Sequence, residues 1–311
     1  MGEDTTRRGS DDQASPALRA LAEVVGAPGF VLPWLDRFYD DEDVELALAA
    51  ATGDQSAPGP TAAARRERAH RRGVLDRDEA GAYAPASFHE RLAFWAMFEG
   101  WKDVPLAVRR RLADWDVGFY AEGIRPEAEA ARRGGGVYTY VLLHEAEVIL
   151  GAQDRIYLWP CDCRSIVGHC RRPADVCLRF ENDRGVGWEI SRERAVKILR
   201  VADRAGLVHT ADYTGEPSAA GAICNCCTDC CYPHLATEKL GTAGVWPVRR
   251  HVASIDLDQC RACGRCAVRC PFRAIEPDGD GRPVLTASEC RGCGLCQTGC
   301  TAGAITMPAR A

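Results

Sequence analysis

Cys260, Cys263, Cys266 and Cys270 recur thirty residues later as Cys290, Cys293, Cys296 and Cys300. The flanks recur with them: Ile255 matches Leu285, Ala274 matches Ala304 and Ile275 matches Ile305, which marks an internal duplication. Two-residue gaps let a backbone curl around a compact metal–sulfur cluster, with its amide N–H groups turned toward the cluster sulfurs. Structural zinc sites pair two Cys-x-x-Cys hooks instead of two tandem runs of four, so zinc is not the expectation for these eight thiols.

With Pro271 after Cys270, the repeat resembles the two-cluster bacterial ferredoxins in every cysteine, over about residues 251–308. In that pattern three close thiolates wrap one cubane and the fourth reaches its neighbour. The resemblance implies a ferredoxin-like two-cluster domain over residues 251–311 that holds two [4Fe–4S] clusters. Cluster one would take Cys260, Cys263, Cys266 and Cys300; cluster two would take Cys290, Cys293, Cys296 and Cys270. Thr301 stands where the second run usually has proline, so the chain after Cys300 lacks a fixed φ. The expected effect is on the tuning of cluster one, not on its existence.

A chain of 311 residues has room for two or three compact units, so more than a small cluster carrier is encoded. Hydrophobic and charged fractions of 46% and 27% are those of a globular protein, and no apolar run is long enough to span a bilayer. Arg7 and Arg8 are followed by polar residues where an export signal needs an apolar stretch, so residues 1–15 read as a disordered tail and the location expected is cytoplasmic. The net charge of -5 gives no global footprint for nucleic acid. The partners expected are redox proteins, with neither membrane nor nucleic acid among them.

Seventeen cysteines without a signal peptide argue for metal ligation over disulfides. Nine lie outside the repeat: Cys161, Cys163, Cys170, Cys177, Cys224, Cys226, Cys227, Cys230 and Cys231. Asp154–Pro160 reads as a buried strand, and the Cys-x-Cys at its exit is expected to put Cys161 and Cys163 on one face. Read as a helix, Asn225–Tyr232 puts Cys226 with Cys230 and Cys227 with Cys231. Nine thiols exceed the four of one cubane, so one cubane with spare thiols, two clusters, or a cluster of unusual nuclearity are all compatible. A further iron–sulfur cluster is expected here ahead of zinc, although tetrahedral thiolate sites suit both metals.

The strings PCDCR at Pro160–Arg164 and ICNCC at Ile223–Cys227, with the terminal double motif, resemble a group of uncharacterised multi-cluster ferredoxin-domain proteins. The resemblance extends weakly to RRGVL at Arg71–Leu75 and to the aromatic helix around Phe88–Phe98. It implies cluster-based electron transfer and supplies no substrate. Between the two cysteine groups, Ser191 is the expected N-cap of a helix that Gly206 ends, followed by a short strand at Leu207–Thr210. His169, His209 and His234 are read as solvated or packed in preference to ligands.

Residues 16–52 carry two helical patterns, broken at Pro28-Gly29 and Pro33, before a loose segment at Thr52–Pro60. Ala62–Arg72 is a basic helix, followed by two short strands and another helix, a winged-helix-like order in which Arg65, Arg66, Arg68, Arg71 and Arg72 could touch phosphates. The preferred reading is a solvated face used for packing or docking, because Glu67 interrupts it and Asp40–Asp43 lies close by.

The expectation is therefore an α+β protein: a helical, winged-helix-like region at 16–135, a Cys-rich α/β unit at 136–250 and the ferredoxin-like domain. Its expected role is electron transfer. The alternatives are an oxidoreductase that reduces a substrate at the central cluster and a cluster-dependent DNA-binding sensor. No GxxxxGK loop or dinucleotide fingerprint is present, and Gly134–Gly136 reads as a linker.

Overall fold

The computed structural model describes residues 14–53, 60–101 and 103–310; most of the expected tail, with Arg7 and Arg8, and most of the loose segment lie outside them. Helices and strands mix in an α+β fold. The described chain forms two compact units, one running to Asp116 and including Ser165–Val167, the other comprising Val117–Arg164 and Gly168 onward. No single helix among the described residues is long and apolar enough to cross a membrane.

In the first unit, α1 (Pro16–Val25) starts at Ser15, whose hydroxyl accepts from the Leu18 amide, and stops at Gly26. A 3-10 turn at Gly29–Arg37 follows the Pro28 break. Asp40 and Asp43 then form a reciprocal capping box at the start of α2 (Asp41–Ala51). Next come α3 (Pro60–Arg71), the hairpin β1 (Leu75–Arg77) and β2 (Tyr83–Pro85), α4 (Phe88–Phe94), which a π turn at Trp95–Glu99 extends, and α5 (Leu106–Arg132), whose later residues belong to the second unit. Gly73 has φ of +72°, and a Cβ there would meet the Phe94 ring at 2.8 Å, so the turn after α3 requires glycine.

Arginines of α3 and of the turn after it pair with carboxylates of the same unit. Arg65 pairs with Glu42 and Glu45, and Arg68 with Asp40 and Glu42. Arg72 pairs with Asp40, with fully buried Asp43 and with Glu99. Those three guanidiniums are thereby engaged by Asp40, by carboxylates of α2 and by Glu99 of the π turn.

The second unit continues with β3 (Tyr138–Val141), α6 (Leu143–Gly151), β4 (Tyr157–Pro160), α7 (Asp162–Val167), β5 (Asp175–Arg179), β6 (Trp188–Glu189), α8 (Arg192–Arg204), β7 (Val208–Asp212), β8 (Ala222–Cys226) and α9 (Tyr232–Leu240). Its six strands form an antiparallel sheet in the order β3-β7-β8-β5-β4-β6. Ser191 caps α8 as expected, accepting from the Arg194 amide. One face of the sheet buries Val141, Leu158, Leu178, Ala211 and Ile223 against Ile149 and Leu150 of α6 and Leu199 of α8. Side chains alternate along strands, so the neighbours Trp159, Cys177, Thr210, Cys224 and Cys226 point to the other face. There α5 and α9 contribute Ala121, Ala128 and Ala236 to a cluster with Trp246.

The C-terminal segment comprises β9 (Ser254–Ile255), α10 (Arg265–Arg269), β10 (Ile275–Pro277), β11 (Pro283–Leu285), α11 (Leu295–Gly299) and β12 (Ile305–Thr306). Ile255 pairs with Ile305 and Ile275 with Leu285. Each pair is the repeat image of the other, so the duplication in sequence is a pseudo-twofold arrangement in space. Leu142, at the end of β3, enters the core of this segment beside Ala253, Cys290, Cys296 and Met307.

Candidate metal centres

Two small cavities lie within the C-terminal segment. One is bounded by Cys260, Cys263, Cys266 and Cys300; the other by Cys270, Cys290, Cys293 and Cys296. Each thus gathers three thiols of one run and the fourth of the other, the grouping that the ferredoxin pattern implies. Amides face the sulfurs: Ala262 N–H donates to Cys260 Sγ at 3.4 Å and Ala274 N–H to Cys270 Sγ at 3.3 Å. Gly264 and Gly294 open α10 and α11 with φ of +70° and +78°, which brings the short helices over the cavities. Cys270 and Cys300 share an extended conformation, with φ of -80° and -86°, so Thr301 leaves the preceding residue where Pro271 holds its counterpart. Burial pushes the Cys296 thiol up to about 12 and raises Cys293 further, so ligation there must release protons. Four soft thiolates around a small cavity, with amides directed at the sulfurs, fit an iron–sulfur cluster.

In the central field the placement of the cysteines differs from two expectations. The strand ends at Pro160, and Cys161 is the N-cap of α7, with Cys163 in its first turn. The Cys-x-Cys pair that does share a strand face is Cys224 and Cys226, because Ile223–Cys226 belongs to β8 and not to a helix. Asn225 explains the difference. It alternates onto the opposite face, accepts through Oδ1 from His209 Nδ1 at 2.6 Å and donates to the Val176 carbonyl at 2.6 Å, which anchors the segment in the sheet. A bend at Thr228–Cys230 follows, and Cys231 caps α9.

The nine thiols separate into two groups. Six form a closed ring of sulfur contacts: Cys161 with Cys163 and Cys177, Cys177 with Cys224, Cys224 with Cys226, Cys226 with Cys231, and Cys231 with Cys163. Cys226 and Cys231 stand 2.8 Å apart. Hydrogen bonds from Cys163 and Cys177 hold Cys161 well below the usual thiol range, and those from Cys177 and Cys226 do the same for Cys224. Cys161 and Cys224, the two places on either side of Cys177, thus favour the thiolate, whereas burial raises Cys231. The other three, Cys170, Cys227 and Cys230, form a separate group with Asp229.

Residues other than cysteine complete the field. The buried Arg164 donates to the carbonyls of Pro173 at 2.9 Å and Asn225 at 2.6 Å. Burial alone would lower its pKa; the sulfurs of Cys161, Cys227, Cys226 and Cys230 around it raise it instead, so it remains a cation among thiolates. Tyr120 and Tyr232 cover the ring side, their rings 5.6 Å apart. The three histidines diverge. His209 is packed against Asn225, His169 is exposed, and His234 comes within ligand distance of Cys226 and Cys231. Burial lowers His234 to about 4, and its Nε2 meets the Tyr140 hydroxyl at 3.2 Å. Arg164 and Asp229 both lie inside the cysteine motifs, and that adjacency was the signal available for them in sequence.

Between the ring and the cavity of Cys290, a cleft of about 280 Å³ is lined by Tyr140, His234, Glu238, Trp246, Phe272 and Arg291, among others. The rings of Tyr140, His234 and Phe272 are mutually in contact, with centroids 5.6–6.0 Å apart.

Residues 253–301, which contain all eight repeat cysteines, match the family described as the 4Fe-4S dicluster domain. No curated protein matches the chain. The C-terminal segment is a 4Fe–4S ferredoxin-like domain, and the chain is an iron–sulfur protein.

Proposed function

We propose that this protein transfers electrons through two C-terminal [4Fe–4S] clusters to a further iron–sulfur centre in the six-thiol ring, in exchange with a redox partner protein. The observation that carries the reading is the contact of Tyr140 and His234 with Phe272, two residues after Cys270, which links the second C-terminal cavity to the ring by touching side chains. When bound, the clusters supply one-electron carriers. The chain's own part is to hold them: thiols grip, amides and Arg164 offset negative charge, and Tyr120 and Tyr232 shield the ring from water.

A second reading, reduction of a small molecule, is favoured by the cleft beside His234. A 280 Å³ volume suits a small metabolite, Arg291 offers a cation to an anionic group, and both centres adjoin it.

Iron and acid-labile sulfide per chain, with EPR of the reduced protein, test the proposal. About twelve irons, at roughly four per cubane, support a ring centre; about eight restrict the electron carriers to the C-terminal pair.

A further inference from the structure

The loop Cys226-Cys227-Thr228-Asp229-Cys230-Cys231 is nested. Its outer pair, Cys226 and Cys231, belongs to the six-thiol ring, whereas its inner pair, Cys227 and Cys230, turns to the opposite side and meets Cys170. The inner pair is a Cys-x-x-Cys hook, the chelating spacing of structural zinc sites. Cys170 reaches it from the loop that follows Gly168, the left-handed residue that ends α7. Asp229 lies inside the hook.

The spacing separates this group from the cluster cavities. Cys170 Sγ and Cys227 Sγ are 3.9 Å apart and Cys227 Sγ and Cys230 Sγ 3.0 Å apart, and all four ligand atoms, the Asp229 carboxylate oxygen included, lie within 4.8 Å of one another. Four sulfurs placed about 2.3 Å from one tetrahedral ion would stand roughly 3.8 Å apart. Each C-terminal quartet draws its thiols from two tandem runs around a cavity, whereas these three come from one Cys-x-x-Cys hook and one loop residue. The three thiols and the oxygen are close enough to one another to share one ion, the Cys227 and Cys230 sulfurs moving apart to the tetrahedral spacing as it binds. Their donor set, three soft sulfurs with one carboxylate, suits a borderline-soft divalent ion without geometric demands of its own.

We infer that Cys170, Cys227, Cys230 and Asp229 hold a single tetrahedral zinc ion, separate from the iron–sulfur centres. The ion fastens the loop between α7 and β5 to the bend after β8. Cys226 and Cys231, which flank the hook, are held separately by the end of β8 and the start of α9. The inference deepens the reading of the central field as metal-binding, but it does not require the ring to be filled.

The test uses the full-length chain purified anaerobically from zinc-supplemented cells, with zinc, iron and sulfide measured on the same sample and zinc K-edge X-ray absorption recorded. The expected result is about one zinc per chain with three sulfurs at about 2.3 Å and one oxygen at about 2.0 Å. Asp229→Cys should keep the zinc and convert its shell to four sulfurs. Cys170→Ala should weaken zinc at least about tenfold in chelator competition, with iron and sulfide unchanged. Absence of zinc from the wild-type chain, a wild-type shell of four sulfurs, or loss of iron and sulfide with Cys170→Ala would each overturn the inference. Iron above the C-terminal complement in the same wild-type sample reports separately on the ring, so the two assignments can fail independently.

Discussion

Phe272 stands with its ring centroid 5.6 Å from that of His234, and so a residue next to one thiol quartet touches a residue next to the six-thiol ring. If electrons pass between the centres here, Phe272→Ala should slow reduction of the ring centre several-fold after flash reduction of the C-terminal pair. Iron per chain should stay the same. An undiminished rate would place the path elsewhere.

Replacing Cys263 and Cys293 together with serine removes one thiol from each C-terminal cavity. The expected loss is about eight irons, at roughly four per cubane, with the central metal retained. Metal analysis and EPR of the reduced variant read the outcome; loss of all iron would mean that the two regions assemble together.

Arg164 is the buried cation among the central sulfurs, and Arg164→Met removes its charge while keeping much of its length. The central metal should bind about 10–100-fold more weakly, as when other supporting partners of metal sites are lost. The EPR signals of the C-terminal pair serve as the internal control.

The first unit offers a test of stability apart from metal. Asp43 is fully buried and accepts two hydrogen bonds from Arg72, at 2.8 and 2.6 Å. Asp43→Ala removes those bonds and the reciprocal cap while Arg72 keeps Asp40 and Glu99, and a loss of about 1–3 kcal/mol is expected in urea unfolding followed by tryptophan fluorescence.

The same network should respond to acid. Burial pushes the Asp40 carboxyl up, but hydrogen bonds from Arg68 and the Asp43 amide, together with the charge of Arg72, outweigh it and lower Asp40 from 3.8 to about 2. A carboxyl lowered on folding stabilises the native state above its unfolded pKa, and that contribution disappears as the pH falls from 3.8 through about 2. Asp40→Asn should be less stable at neutral pH and lose this acid dependence, which unfolding curves across the window will reveal.

The crossing of Cys270 and Cys300 came from the resemblance to two-cluster ferredoxins, whereas the three close thiols of each run were legible because their spacing is local. Ser191 and Gly206 were legible for the same reason, since capping is local. The central field was not, because the alternatives there are settled by distant partners. Cys226 belongs to a strand because Asn225 bonds to His209 and Val176, and neither partner is adjacent in sequence. Cys161 left the strand because Pro160 ends the ladder and the chain turns into α7. The division into six thiols and three depends on where Cys170 lands, which no periodicity encodes. The ion pairs of α3 were half visible: the acidic run at Asp40–Asp43 was plain, but only packing could show that it faces Arg65, Arg68 and Arg72.

The exchange of Cys270 and Cys300 between the two halves of the repeat makes each half the clasp of the other. Each half, expressed alone, keeps four thiols, but only three of them line its own cavity, and a chain severed between Pro277 and Pro283 would leave each cavity dependent on a sulfur from the other fragment. Injury is shared in the same way: oxidising either crossing sulfur opens the opposite cavity, so the ancestral duplication turned two interchangeable parts into a pair that is assembled, and lost, together.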